Sequence, residues 1–483
     1  MGAGLLLPLE CQHPHGPAKA CTPGGPASPM SEPGSFTDAF PRDSRAILRL
    51  AGPLLVNNLV IAGMMLANTV FAGRLGPEPL AGVAVGGSYY QMFWLFGLGV
   101  LMSISPIVAH AYGAGRDEEV GRRFRQGIWL ALMLAVPLVG ALACVEPLLR
   151  WFGTDARAIP HAAGYVYAMC FGMPAMLVFL AHRYTSEGIG WTRPVMYTAA
   201  VGLATNILGN WLFTLGGFGI PSQGARGCGI ATALASWAML VTMHLYQRRQ
   251  PIYRQFRLFE RFDPPNCRAI GDILGLGLPI AGSVVSEGAL FAVAALLMST
   301  LGTEIVAAHQ IAISYASLMF MIPLSLHSAT TIHVGHQVGR GDLHAGRNAG
   351  WSGIAMCGIV MALSSIVILA AREPIAAAYT SDQSVRELAV WLLLFVAAFQ
   401  IPDGLQVGAA GALRGFKDAN VPMGLNFTAY WLIGFPAAWW FGIRQGFGPS
   451  GIWAGLIAGL VTCAVFLLLR FQQTTQKRLA AAA

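Results

Sequence analysis

Two acidic residues, Glu287 and Asp403, lie deep inside long apolar segments of this 483-residue chain. The chain has 22 acidic residues in all, and we expect the others in the N-terminal tail, in connecting loops or near segment ends. A charge at the centre of a bilayer costs about 3 kcal/mol or more unless it is paired, hydrated or neutralised. Acids at this depth therefore indicate function, and the chemistry open to them is the binding of a proton or of a cation such as Na⁺.

Both carboxylates are predicted to lie near the middle of the membrane. Glu287 is about 24 Å along a helix that begins near residue 271, and Asp403 is about 16 Å from Arg414 at the end of its own segment. Both belong to the second half of the chain, so they can face one cavity. Burial and a neighbouring acid both favour the protonated form of a carboxyl group, whereas an ionised pair could hold Na⁺ together with other oxygen ligands.

The segments around these acids identify the class of protein. The chain is 55% hydrophobic and only 11% charged, whereas soluble domains carry about 25% charged residues. Runs of roughly 20 apolar residues predict transmembrane helices. Twelve are predicted, near residues 48–73, 84–109, 126–146, 162–182, 194–216, 227–246, 271–299, 305–333, 349–371, 387–413, 421–442 and 451–470. The expected fold class is therefore an all-α polytopic membrane protein.

The basic residues predict the orientation of the chain. Most of the 30 Lys and Arg residues lie in alternate loops, on the side of the N-terminus. Basic loops stay on the cytoplasmic side of a membrane, so we expect both termini to be cytoplasmic. We interpret the net charge of +8 as a topology signal beside lipid head groups and not as a nucleic-acid site.

The segments outside the spans complete the domain plan. The first 45 residues are rich in Pro, Gly, His and Ser, and we expect them to be disordered, with Met30 as a candidate natural start. The eight cysteines show no metal-binding spacing, so no cofactor is expected. The predicted order is a cytoplasmic tail 1–45, a six-helix bundle 46–246, a basic linker 247–270, a second six-helix bundle 271–471 and a tail 472–483.

The two halves form an internal repeat. When the two halves are aligned at a nearly constant offset, the following residues correspond: Pro53 and Pro279, His110 and His336, Gly113 and Gly339, Pro174 and Pro402, and Pro194 and Pro422. Because each half has an even number of spans, the repeats are parallel. Transporters built in this way bind substrate and ions near the membrane midplane and alternate access by rocking one bundle against the other.

The charge chemistry is not repeated. In the same alignment, Glu287 corresponds to Ile61 and Asp403 corresponds to Ala175. The first half carries mid-span amides instead, among them Asn57, Asn68, Asn206 and Asn210. Such amides either join neighbouring helices or line a polar cavity, and the sequence leaves both interpretations open.

Several stretches together resemble the multidrug and toxic compound extrusion (MATE) family of the NorM type. They are LAGPLLVNNLVIAG and NTVFAGRLG in the first helix, EGIGWTRPVM and TNILGNWLF in the first half, and LGLPIAGSVVSEGALFAVAALLMSTLG, HVGHQVGRGD and FQIPDGLQVGAAGALRGFKD in the second. The resemblance covers essentially everything after residue 45. It implies two six-helix bundles around a V-shaped central cleft, and cation-coupled antiport of organic molecules.

The resemblance also implies roles for particular residues. Acids of the seventh and tenth helices bind the coupling ion in this family, and Glu287 and Asp403 match both. Many members have a Tyr one turn before the second acid, where this chain has Phe399, and many have an Asp in the first helix, where this chain has Asn68. Asn206 and Asn210 fit the family's fifth-helix asparagines, while Asn57 and Gln310 are further candidates for contacts in the cavity.

The predicted function is a secondary antiporter, not an enzyme, that exports organic, cationic or amphiphilic compounds in exchange for H⁺ or Na⁺. It would act as a monomer among the lipids of a plasma membrane, the inner membrane in bacteria. One alternative is a flippase for lipids or lipid-linked oligosaccharides, which would favour basic residues in the cleft. The other is a membrane-embedded dicarboxylate hydrolase, for which two opposed acids would have to share a water.

Overall fold

The computed structural model describes residues 36–151 and 153–482, and these residues contain helices and no strand. Residues 1–35, with Met30, lie outside the described part. The first six spans are α1 (Phe36–Gly73), α2 (Pro77–Leu101) continued by α3 (Ile104–Gly113), α4 (Asp117–Ala143), α6 (Ile159–Gly188), α7 (Arg193–Gly209) continued by a π-helical segment (Asn210–Thr214), and α8 (Ala225–Arg249). A short helix, α5 (Val145–Trp151), follows α4.

The second half repeats this order after a 3₁₀ turn (Pro251–Phe256). Its spans are α9 (Cys267–Ser299), α10 (Thr303–Gly339), α11 (Leu343–Tyr379), α12 (Gln383–Gly415), an eleventh span, and α15 (Gly448–Ala482). The eleventh span consists of α13 (Asn420–Phe427), a π segment (Thr428–Gly434), α14 (Phe435–Trp439) and a second π segment (Trp440–Arg444). Twelve spans in two halves confirm the predicted fold class.

Ten of these spans, with α2 and α3 counted together, are helical stretches long and apolar enough to cross a membrane. The other two are the fifth span of each half. The first of them ends in one π-helical segment, and the second contains two. A π turn widens the helix and often lies at a functional site. Because both of these spans contain π turns, they are places to look for polar side chains.

The prediction of a disordered tail up to residue 45 is wrong for residues 36–45, which form the start of α1. Ile47 is fully buried and packs with Leu326 and Met356 of the second half. Asp43 is also buried, and its Oδ1 lies 3.2 Å from His333 Nε2. These contacts with distant segments stabilise a helical start that the local composition does not favour. The C-terminal tail is likewise helical, since α15 continues to Ala482.

The two bundles touch along a seam. Helix α2 packs against α9, α3 against α10, and α1 against both α10 and α11. Glycine permits the close approach, because a methyl group at Gly99 would lie 2.5 Å from the Ala281 Cα atom and one at Gly277 would lie 2.4 Å from the Val100 carbonyl oxygen. We call the membrane face at which α1 begins the terminal face, and these contacts lie in the half of the molecule nearer to it.

Candidate ion site

The two mid-span acids meet on a single amide. Gln406 Nε2 donates to Glu287 Oε1 at 3.2 Å and to Asp403 Oδ1 at 3.3 Å. Because one nitrogen reaches both oxygens, the two carboxyl groups belong to one site. The structure thus brings Glu287 and Asp403 together at Gln406, and their role in binding an ion stays a prediction.

The orientation of this amide is determined by its other partners. Gln406 Oε1 accepts from the Tyr430 hydroxyl at 3.2 Å, and the Cys463 thiol lies 3.6 Å away. An ionised carboxylate can only accept hydrogen bonds, so the NH₂ end of the amide has to face the acids. Tyr430 and Cys463 therefore hold Gln406 in the orientation that serves both carboxylates.

The two helices that carry the acids and Gln406 each begin at a capping side chain. Asn266 caps α9 by accepting from the Ala269 amide, and Asp382 caps α12 by accepting from the first backbone amides of that helix. Pro402, directly before Asp403, cannot donate to the preceding turn, which loosens α12 at the level of the acid. The π segment of the eleventh span carries Tyr430.

The two acids differ in their exposure. Asp403 is only 2% exposed, whereas Glu287 is partly exposed. Phe399, one turn before Asp403, is buried and packs edge-on against Phe291 and Trp453. A carboxyl group held in this way can take up a proton, and the pair can place several oxygens around a small cation.

One group of polar side chains around Asn68 in the first bundle forms a separate network, and none of its members is a carboxylate. Asn206 and Asn210 donate to Asn68 Oδ1 at 3.1 and 2.8 Å, and Asn68 Nδ2 donates to Thr232 Oγ1 at 2.9 Å. Thr214, in the same π segment as Asn210, donates to Asn210 Oδ1 at 3.1 Å. These side chains join α1, α7 and α8, which is the helix-joining interpretation of the amides.

Asn57 does not belong to that network. With its amide oriented to suit its neighbours, its oxygen accepts from the Arg183 guanidinium at 3.2 and 3.3 Å. Arg183 also forms an ion pair with Glu187 at 2.6 Å, and both side chains are buried. Glu187 is a buried acid that the sequence reasoning placed simply near a segment end. Gln310 is exposed, and its Nε2 lies 3.4 Å from Ser314 Oγ.

Gln406, Tyr430 and Cys463 are the site residues that sequence reasoning missed. A signal for Gln406 was available, because residues three apart on a helix share a face and Asp403 was already a candidate. Tyr430 and Cys463 gave no comparable signal. Tyr430 reaches the site from a π turn and Cys463 from the last span, and neither placement follows from local pattern.

Comparison with known proteins supplies the family. The MatE family model matches residues 53–212 and 279–440, one match in each half of the chain. The chain belongs to the MATE family. The resemblance seen in its motifs is thereby confirmed.

The similar proteins cover nearly the whole chain. The probable multidrug resistance protein NorM of Xanthomonas campestris pv. campestris is 41% identical over 457 residues, which are 94% of this chain and 100% of that protein. The multidrug resistance protein NorM of Vibrio cholerae is 36% identical over 434 residues, 89% of this chain and 95% of that protein.

Solved structures share the fold of this MATE chain. The eukaryotic MATE transporter AtDTX14 superposes with a TM-score of 0.83 at 20% identity, covering 91% of this chain and 99% of that one. A multidrug resistance MATE transporter in an outward-facing conformation gives 0.82 at 20% identity, covering 90% and 96%. At this level of identity the likeness concerns architecture alone.

Proposed function

We propose that this protein is a secondary antiporter that exports organic, cationic or amphiphilic compounds in exchange for H⁺ or Na⁺. The observation that carries the proposal is that Gln406 Nε2 forms hydrogen bonds with both Glu287 and Asp403 inside one bundle. Relatives named as multidrug resistance proteins support the class of substrate. The protein would lie in the plasma membrane, the inner membrane in bacteria, with both termini in the cytoplasm, and would work as a monomer.

The proposed cycle uses the two acids as the ion-binding groups. An ion that binds between Glu287 and Asp403 changes the charge of the second bundle and favours one arrangement of the bundles, while substrate favours the other. Coupling then requires only that each ligand prefers a different conformation. Export follows when the ion gradient continually returns the protein to the conformation that accepts substrate from the cytoplasm.

The test is dye export by the purified protein in proteoliposomes under an imposed ion gradient. We expect Glu287→Gln and Asp403→Asn each to lower gradient-driven export by about a hundredfold or more, because each removes an ionisable group from the site. Glu304→Gln is the matched control, since Glu304 is an exposed acid in the same bundle and lies at the first turn of α10. Wild-type export by either folded site variant would contradict the proposal.

The same vesicles can identify the ion. A proton gradient and a sodium gradient are imposed separately, with the membrane potential clamped, and export is followed by dye fluorescence. A response to one gradient that disappears in Asp403→Asn assigns that ion to the acid pair. Export without either gradient would indicate a uniporter or a flippase.

A further inference from the structure

The seam between the bundles contains two hydrogen bonds that mirror each other. His110 Nε2, at the end of the second span, donates to the Gly415 carbonyl oxygen of the other bundle at 2.7 Å. His336 Nε2, at the end of the eighth span, donates to the Gly188 carbonyl oxygen of the first bundle, also at 2.7 Å. The two histidines are the repeat partners found in the sequence, and each reaches across to the opposite half.

The acceptors are equivalent as well. Gly188 and Gly415 are the last residues of α6 and α12, the fourth span of each half. The last carbonyl groups of a helix have no partner inside that helix and must bond elsewhere. Each histidine therefore satisfies a helix end in the neighbouring bundle at the terminal face.

Glycines beside the histidines bring the two backbones into contact. A methyl group at Gly113 would lie 2.3 Å from the His336 carbonyl oxygen, and one at Gly339 would lie 2.4 Å from the His110 carbonyl oxygen. Real Cβ atoms do not approach so closely, so a side chain at either position would separate the bundles. Like the hydrogen bonds, these contacts form a pair related by the repeat.

Donor chemistry limits how these bonds can break. A carbonyl oxygen only accepts, so Nε2 of each histidine must carry a hydrogen. That hydrogen is present both in the neutral ring with Nε2–H and in the charged ring. Protonation of the other ring nitrogen leaves the donor in place and does not break the bond, whereas separation of the bundles does.

We propose that the bonds His110–Gly415 and His336–Gly188 form a paired latch that closes the central cleft at the terminal face and breaks when the cleft opens there. The latch lies in the half of the molecule where the bundles are in close contact, and it serves both halves of the repeat equally. The latch goes beyond the proposed exchange of ion and substrate. It rests on that exchange only because it requires the cleft to open at this face during transport.

The experiment measures the width of the seam directly. Spin labels are attached through unnatural amino acids at Glu118 and His344, which are exposed on opposite bundles near the terminal face, and their separation is measured by pulsed electron resonance in nanodiscs. We expect His110→Ala and His336→Ala each to raise the ratio of long to short separations by about two- to tenfold, the effect of one hydrogen bond. The double variant should combine both shifts.

Two further pairs of variants separate the latch from a general loss of structure. His110→Gln and His336→Gln keep an amide donor near the position of Nε2 and should restore the short separation. Gly113→Ala and Gly339→Ala should widen the seam even with both histidines present. Gly275→Ala is the matched control, since Gly275 lies in α9 and has no neighbour within 4 Å of an added methyl group.

The outcomes are distinct. Unchanged separations in the histidine and glycine variants alike overturn the latch, and so does an equal shift in Gly275→Ala. If a histidine-to-alanine variant cannot be purified, the histidine-to-glutamine variants and Gly113→Ala decide the question by the same measurement. No substrate or gradient is used, so a protein that failed to exchange ions for dye could still show the latch, and an active exporter could still lack it.

Discussion

The two bundles repeat one scaffold but hold different polar cores. The second contains two carboxyl groups joined through Gln406, and the first contains amides and hydroxyls around Asn68. In both, a π turn in the fifth span of the repeat supplies one member of the core, Asn210 in the first bundle and Tyr430 in the second. The same local device therefore serves a neutral network on one side and an ionisable site on the other.

The difference between the two polar cores assigns helix packing to the first bundle and a group that an ion can neutralise to the second. A neutral network whose donors meet acceptors stabilises helix packing and does not change charge in the physiological range. A pair of acids at the same depth costs stability but gains a group that an ion can neutralise. The latch residues, in contrast, are equivalent in the two halves, so closure of the seam is symmetric while its proposed ion control is not.

Among the changes that test this difference between the bundles, removal of the Gln406 amide is expected to have the largest effect on export. Gln406→Leu leaves both carboxyl groups without their common donor and Tyr430 without its acceptor, and we expect gradient-driven export to fall about tenfold to a hundredfold. Asn206→Leu is the matched change in the first bundle. It should lower the melting temperature through loss of its buried bonds and leave the ion dependence of export unchanged. If both variants lost coupling equally, the division of tasks would be wrong.

Much of this arrangement could be predicted from the sequence, and the missing parts have a physical reason. Helix length and apolar composition predict the spans, and depth along a helix places Glu287 and Asp403 at one level. The start of α1 at Phe36 and the contact of Tyr430 with Gln406 depend on segments far apart in the chain. No periodicity within one helix contains that information.

An acid placed in the first bundle should make the two cores more alike. In Asn68→Asp, one carboxylate oxygen can still accept from Asn206 and Asn210, and the Thr232 hydroxyl can turn to donate to the other. We expect export to gain a second dependence on pH, about three- to tenfold between the protonated and ionised forms of the new group. The measurement is the export rate against pH, with wild type beside it. Identical profiles would show that the first bundle does not take part in ion coupling.

Loss of the Tyr430 hydroxyl should have a smaller effect. Tyr430→Phe removes one bond to Gln406 Oε1 but leaves the Cys463 thiol beside that atom. We expect the apparent affinity for the driving ion to weaken about threefold, the effect of one neutral hydrogen bond, with the maximal export rate retained. Titration of export against ion concentration separates the two quantities. A loss of maximal rate at unchanged ion affinity would place Tyr430 in the substrate path and not in the support of the acids.

The smallest effect is expected from Phe399→Tyr. The ring of Phe399 is 3% exposed and packs edge-on against Phe291 and Trp453, so an added hydroxyl is held among aromatic rings. We expect at most about a twofold change in the apparent ion affinity, together with a slight fall in melting temperature from burying a polar atom. A tenfold gain in affinity would instead mean that the hydroxyl reaches the acids. In that case the second bundle would bind its ion with a ligand from the turn before Asp403, and the contrast with the first bundle would be sharper than the present contacts indicate.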